Sequence, residues 1–247
     1  MTRRRWIADQ VSGSQAALIG SHAEHLSRVL RARVGQEFDI VADGEVRRGR
    51  VSSVADGRVE FELGDAISTT DSLPVTLALS IFKFDRMEWA IEKSTELGIS
   101  RIIPVLAQRT ESHLAKAAPK RIDRWQRLVR EAAEQSRRSS PPEIWQPIRV
   151  NEAAAISGHC RIVLSEIEEQ TTLKHAIQNC ADDVVLAVGP EGGWAVGELE
   201  LFRDAGWTAV SLGSTILRVE TAAISAIAII LSEWQEANAI RPDRNRN

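Results

Sequence analysis

The sequence predicts an α/β protein, with a larger α/β domain over residues 73–247 preceded by a small β-rich domain over residues 1–72. Three observations carry that prediction. From Val75 onward, short apolar runs rich in β-branched residues alternate with amphipathic stretches, the pattern of βαβ units on a parallel sheet. Before residue 70, short segments are separated by two Asp-Gly turns, Asp43-Gly44 and Asp56-Gly57, as in hairpins. Finally, the apolar run at 184–188 stops abruptly at Gly189-Pro190-Glu191-Gly192-Gly193, and the next predicted strand also ends on a bare step, Leu212-Gly213. Two side-chain-poor loops at neighbouring strand ends suggest a ligand crevice.

Taken in order, residues 24–30 read as a short helix that brings His25, Arg28 and Arg31 to one side. Strands follow at 38–41, 46–54 and 59–63, the last with clean alternation, and together they suggest a small barrel. Residues 69–74 are polar and end in proline, the expected linker. A buried-type strand at 75–82 leads into a helix at 85–97, with Asp85 as the expected N-cap, Glu88 three residues on, and Gly98 as the stop. Then come a strand at 102–106, a helix at 119–137, a strand at 162–164, a helix at 172–179, the strand at 184–188, a helix at 196–205, a strand at 208–212 and a last helix at 220–237. That last helix carries Ala222, Ile224, Ile227, Ile229, Ile230 and Leu231 nearly all round, so it is expected inside the domain or against a second copy.

The chain is formally −3 at pH 7, which would disfavour a nucleic-acid partner if the charge were evenly spread. It is not: residues 101–150 hold 11 Lys/Arg against 5 Asp/Glu, while residues 151–210 hold 3 against 10. Screening over roughly 8–10 Å lets a basic patch act locally on phosphates. The helix from Lys120 concentrates the effect, with Lys120, Arg124, Arg127 and Arg138 on one face, Arg130 beside them, and Ile122, Trp125, Leu128, Val129, Ala132 and Ala133 opposite. A solvated basic surface and a nucleic-acid contact both fit this stripe. No apolar stretch follows the first residues and no run is long enough to span a bilayer, so a cytoplasmic protein is expected. Cys160 and Cys180 lack paired spacing and are expected as incidental reduced thiols.

The glycine loop is neither a Walker loop, since no Gly-Lys-Ser/Thr follows, nor a GxGxxG loop. The histidines at 22, 25, 113, 159 and 175 show no ligand spacing, and no metal site is expected. By residue types alone, 189–193 is a ligand loop or a tight turn before a helix.

The motifs together resemble a known family. Gly189-Pro190-Glu191-Gly192-Gly193 after an apolar strand, then Leu212-Gly213, Ile216-Leu217-Arg218 and Glu220-Thr221-Ala222, look like the signature of SPOUT-superfamily methyltransferases. More narrowly they resemble the RsmE family, bacterial methyltransferases of uridine N3 in small-subunit ribosomal RNA. His25-Leu26-Ser27-Arg28-Val29-Leu30-Arg31, Lys93, Glu96-Leu97-Gly98, and Glu131-Ala132-Ala133-Glu134-Gln135-Ser136 before Arg138 extend the resemblance over nearly the whole chain. Two departures stand out. Thr215, after Ser214, occupies the place where the family pattern usually has an arginine, and Trp194-Ala195-Val196-Gly197 lacks the family's usual Ser and acidic helix start.

The resemblance implies a PUA-like RNA-binding barrel followed by a SPOUT domain with a trefoil knot, working as a homodimer on 16S ribosomal RNA in the small subunit. It implies S-adenosylmethionine as cofactor, held by Leu164, Val188, Gly189, Pro190, Glu191, Gly192, Gly193, Leu212, Gly213, Ile216, Leu217 and Thr221. Arg218, Glu220 and Glu191 are the expected catalytic side chains, and Arg4, Arg5, His25, Arg28, Arg31, Arg124, Arg127, Arg137 and Arg138 the expected RNA contacts. Two rival readings are a methyltransferase of transfer RNA and an RNA-binding assembly factor without catalysis.

Overall fold

The computed structural model describes residues 5–67, 72–178, 180 and 182–240. The chain divides into two compact units, 1–72 with 130–141, and 73–129 with 142–247. Each is taken in turn.

The first unit is a six-stranded sheet built from β1 (Arg5–Ile7), β2 (Gln10–Ser12), β3 (Gln15–Ile19), β4 (Glu37–Ala42), β5 (Glu45–Ala55) and β6 (Arg58–Ile67), in the order β1-β4-β5-β6-β3-β2. Its two edges are successive halves of one stretch. β1 runs parallel to β4 and β2 antiparallel to β3, while between them Ala8 N–H donates to Val41 and Asp9 N–H to Ala17, both at 2.9 Å. A bent segment thus reaches from one edge to the other and closes the sheet into a barrel, as expected, leaving few free edge groups. Trp6, Leu18, Leu26, Ile40, Val59 and Phe61 fill the interior. Asp43 and Gly44 both take positive φ in the two-residue β4–β5 turn (50° and 81°), the conformation that matches the strand twist.

The helix expected at 24–30 begins earlier and then widens. α1 (Gly20–Glu24) passes into a π-helical turn at His25–Val29, where Leu30 N–H reaches His25 O. Ser27 Oγ bonds back to Ala23 O at 2.7 Å, an interaction that competes with the regular helical ladder.

The second unit is a seven-stranded parallel sheet. Its strands are β7 (Leu73–Ser80), β8 (Ile99–Leu106), β9 (Glu143–Ile144), β10 (Ile148–Arg149), β11 (Cys160–Leu164), β12 (Val184–Val188) and β13 (Thr208–Val210), in the order β10-β8-β7-β12-β11-β13, with β9 also on β8. Its helices are α2 (Phe84–Glu96), α3 (Ser112–Ala117), α4 (Ile122–Gln135), α5 (Val150–Ala154), α6 (Leu173–Ile177), α7 (Val196–Asp204) and α8 (Val219–Ile240). α4 starts in this unit, but from Arg130 onward its residues belong to the first. Both faces of the sheet are covered, and β12 displays the period of two. Val184, Leu186 and Val188 enter one core layer with Ile162, Leu77 and Ile227, while Val185 and Ala187 enter the other with Phe202 and Trp207.

Several boundaries differ from expectation. Asp85 lies in the first turn of α2 rather than at its N-cap, which is Lys83 and makes no side-chain cap. The helix expected from 119 opens as a 3₁₀ turn at Ala118–Arg121, with Pro119 at its start, before α4 begins. The last strand stops at Val210, because Ser211 leaves it to bridge Thr172. α8 buries one face, Ala223, Ala226, Ile227 and Ile230, while Thr221 and Ala228 are exposed. The linker expected at 69–74 lies partly outside the described residues, and Leu73 already belongs to β7. The thiol expectation is overturned: Cys160 and Cys180 are disulfide-bonded, their Cα atoms 5.7 Å apart, because the fold sets the start of β11 beside the end of α6. Among the described residues no helix is long and apolar enough to cross a membrane, and no cluster of three metal-ligating side chains occurs.

Candidate active site

The strand order reverses at β7 and β12: the chain first builds outward through β8 and β10, then returns to add β11, β12 and β13 on the other side. Ligands of open parallel sheets sit at such reversals, beyond the carboxyl ends of the strands. Here β11, β12 and β13 end at Leu164, Val188 and Val210, and all three residues line one cavity of about 500 Å³. Its remaining wall is the 189–193 loop, Ser165, Glu166, the 211–218 segment, the start of α8, and Arg86 from α2.

The 189–193 loop is pinned from several sides. Gly193 N–H donates to Pro190 O at 2.8 Å, Arg109 Nη1 donates to Gly192 O at 2.6 Å, and the indole of buried Trp194 donates to Leu164 O at 3.1 Å. A Cβ on Gly189 would stand 3.1 Å from that indole. Gly193 has φ +70°, and a Cβ there would run into the Glu166 carboxylate. At Gly189 and Gly193 the loop's bareness is therefore a steric requirement.

Beyond the loop, Glu198 fills the acidic helix start that the 194–197 segment lacks. Its Oε2 accepts from Ala195 N–H at 2.8 Å and its Oε1 from Gln108 N–H at 2.6 Å, so one buried carboxylate caps α7 and holds the chain after β8.

Segment 211–218 is anchored at its start by the loop after β11: Ser211 N–H donates to Thr171 O and Leu173 N–H to Ser211 O, at 2.9 and 3.0 Å. Glu168 stiffens the same loop, its Oε1 accepting from Gln170 and Thr171 N–H at 2.9 and 3.0 Å, and these bonds hold its carboxyl below the ordinary range. Gly213 takes φ +122°, and Ile216 is 86% exposed at the cavity mouth.

Glu220, Arg86, Glu191 and Arg218 complete the charged lining of the cavity. Glu220 is buried, 3% exposed, and its Oε2 has no hydrogen-bond partner among the described residues. Arg86 Nη1 lies 3.1 Å from Glu191 Oε1, and its Nε 3.9 Å from Glu220 Oε1. Arg218 is exposed and makes no side-chain hydrogen bond or ion pair among the described residues.

The chain matches a family of RNA methyltransferase domains over residues 69–231. It is 34% identical over 230 residues to the ribosomal RNA small subunit methyltransferase E of Synechocystis sp., covering 90% of this chain and 74% of that protein. The chain belongs to the ribosomal RNA small subunit methyltransferase E family. A crystal structure of such a methyltransferase E from Neisseria gonorrhoeae, bound to S-adenosyl methionine, superimposes with a TM-score of 0.84 at 31% identity, covering 94% of this chain and 98% of that one. A putative methyltransferase from Legionella pneumophila with bound S-adenosylmethionine gives 0.83 at 26% identity, covering 94% and 98%.

For this member of the methyltransferase E family, the expected cofactor residues gather in the cavity wall with one exception. Thr221 is exposed on α8 and does not line it, although Glu220 and Ala222 do. Arg218, Glu220 and Glu191 also line it. Sequence reasoning missed Arg86, Arg109 and Glu166. A cation in the first turn after a buried strand was the available signal for Arg86, whereas Arg109 and Glu166 lie in loops without a motif.

The expected RNA contacts are more dispersed. Arg4 lies outside the described residues. In the first unit Arg28 pairs with Asp56 at 2.9 Å on the surface, Arg31 is exposed with φ 53°, and the His25 ring lies 5.7 Å from Trp6. Arg5 donates to Arg137 O, and burial and the neighbouring Arg137 charge lower its pKa. Arg137 Nη2 pairs with Asp39 at 3.3 Å. Arg138 is half-buried near Ser72 Oγ, and desolvation lowers its pKa to about 10. In the second unit Arg124 is held by a bidentate pair to Glu88, both contacts at 2.7 Å, while exposed Arg127 only reaches back to Asp123 O at 3.3 Å.

Proposed function

We propose that this protein methylates N3 of a uridine in 16S ribosomal RNA, taking the methyl group from S-adenosylmethionine, as a cytoplasmic homodimer acting on the small ribosomal subunit. The observation that carries the reading is the cavity at the ends of β11, β12 and β13, which combines a bare glycine loop with a buried, under-bonded carboxylate and an uncommitted arginine. The residues fit the cofactor: its size suits the cavity, and the 189–193 loop lines the wall with glycines, two of which, Gly189 and Gly193, leave no room for a side chain.

S-adenosylmethionine supplies a sulfonium-activated methyl group. Everything else falls to the chain. N3 of uridine carries a proton at neutral pH, so transfer requires both its removal and in-line placement. Orientation lowers such barriers by up to ~7–11 kcal/mol, and a general base adds ~10²–10⁴-fold. Glu220, with its free acceptor oxygen, is assigned the acceptor's proton, and Glu191 holds the loop against Arg86. Arg218 is assigned to the negative charge that develops on the uracil as its proton leaves, or to the adjoining phosphate. The barrel of the first unit is assigned to RNA contact as a PUA-like domain, through Arg28 and Arg31 foremost because both are exposed. The domain containing the cavity is assigned the knotted SPOUT form.

The test is methyl transfer from labelled S-adenosylmethionine to small subunits lacking the modification, followed by nucleoside mass analysis. 3-Methyluridine in 16S ribosomal RNA is expected. Label in transfer RNA instead, or cofactor binding without transfer, would support the rival readings. Arg218→Ala is expected to lower the transfer rate about 10²-fold with cofactor affinity little changed. An unchanged rate would remove Arg218 from the mechanism.

A further inference from the structure

Arg86 is the one cavity-lining cation besides Arg218, and neither a loop motif nor the glycine signature draws attention to it. It stands in the first turn of α2, directly after β7, the strand that neighbours β12. From there it reaches two carboxylates on different elements. Glu191, in the loop after β12, is 3.1 Å from Nη1, and Glu220, in the first turn of α8, is 3.9 Å from Nε. The side chain is one-third exposed and the Glu220 side chain only 3%, so the guanidinium sits at the cavity edge with its acidic partner behind it. Glu220 Oε2 is buried without a hydrogen-bond partner among the described residues, and Arg86 is the only cation within ion-pair distance of Glu220 among them.

We infer that Arg86 is a positioning residue for methyl transfer: it clamps the 189–193 loop to the start of α8 and fixes the direction of the Glu220 carboxylate. This rests on the assignment of Glu220 to the acceptor's proton. A flat guanidinium presenting separate N–H groups can hold two carboxylates at a fixed angle, which a lysine ammonium does less well. Loss of Arg86 removes the one cation that approaches both carboxylates among the described residues. The Glu220 carboxylate is then free to turn, and misplacement of a reacting group by about 1 Å costs on the order of 10²-fold in rate.

The test uses the full-length protein with S-adenosylmethionine and unmodified small subunits. Arg86→Gln removes the charge at similar length, and Arg86→Lys keeps the charge without the fork. A roughly 10–100-fold fall in kcat is expected for Arg86→Gln, with cofactor Kd by calorimetry changed less than threefold, and Arg86→Lys losing less, about 3–10-fold. Glu191→Gln, damaging alone, should add little on top of Arg86→Gln, because both remove the same clamp. If Arg86→Gln does not fold, Arg86→Lys carries the test by itself, with a kcat reduced about 3–10-fold at unchanged cofactor Kd.

Unchanged kcat in either variant, a loss confined to cofactor affinity, or additivity with Glu191→Gln would overturn the inference while leaving the activity in place. A wild-type protein that binds no cofactor or transfers no methyl group would instead overturn the functional reading beneath it.

Discussion

Gly193 is the position where the proposed cofactor loop can be challenged most sharply. An alanine there meets two separate obstacles. Its backbone would have to hold φ near +70°, which costs an L-residue about 1–2 kcal/mol. Its Cβ would also be driven into Glu166 Oε1, with Cδ at 3.0 Å and Oε2 at 3.1 Å. The second obstacle is the far end of a flexible side chain, so it is relieved by rotating Glu166. Glu166 itself lines the cavity, however, and the rotation rebuilds the wall. If the strain is relieved only by abandoning the binding-competent loop, 1–2 kcal/mol corresponds to about 5–30-fold in cofactor Kd, with the displaced carboxylate adding to it. Gly193→Ala is therefore expected to weaken S-adenosylmethionine binding about 10–100-fold by titration calorimetry. Glu166→Ala in the same chain removes the collision and not the strain, so the double variant should recover part of the loss. Gly197→Ala is the control. No atom lies within 4 Å of its added Cβ, and as a residue of α7 it should bind normally and gain up to about 1 kcal/mol in stability. Binding by Gly193→Ala within twofold of the wild type would refute the argument that this loop must be bare.

Two further outcomes are expected. The Glu168 carboxyl is depressed below its ordinary value of 4.5 by the Gln170 and Thr171 N–H donors, so its contribution is fully present above that value and is lost as pH falls through the folded-state pKa. Amide exchange at residues 170 and 171 should accelerate selectively below about pH 4.5, and Glu168→Gln should abolish that step; equal acceleration in both proteins would show that the loop opens for another reason. The Cys160–Cys180 bond closes a loop with a sequence separation of 20, for which the chain-entropy model gives about 3 kcal/mol. Reductant should lower the urea midpoint of the wild type and leave the Cys160→Ser/Cys180→Ser variant unmoved, whereas two titratable thiols in unreduced protein would show the bond unformed.

What could be read from the sequence and what could not separate along physical lines. The strands at 75–82 and 184–188 were legible because a strand buried on both faces reads as a near-continuous apolar run, broken in the first only by Thr76 and Ser80, and the 189–193 loop because glycine and proline mark the backbone locally. Arg86 was not legible as a site residue, since its importance comes only from β7 lying beside β12, a pairing between residues more than a hundred apart. The same holds for the disulfide, whose spacing resembles no motif, and for residues 130–141. In α4 the 3.6-residue period was plain, but periodicity reveals that a face is buried without revealing which body buries it.

The basic stripe shows the same boundary in its energetics. Counting charges over residues 101–150 treats every arginine as available to phosphate, whereas the fold spends several of them internally. Arg101 pairs with Glu143 at 2.9 Å, Arg124 with Glu88, and Arg130 with Asp9 at 2.7 Å, while Glu134, fully buried, accepts from Ile7 N–H. Arg109 is bound to the glycine loop. A half-buried cation such as Arg130, bonded also to Ile7 O, is held by desolvated contacts that an RNA phosphate would have to break before gaining anything in return. An exposed pair such as Arg28–Asp56 is worth at most about 1 kcal/mol and yields readily to a phosphate. Exposure and partner burial, rather than formal charge, therefore sort the arginines, and among those expected to meet RNA they leave Arg28, Arg31 and Arg127 the most open.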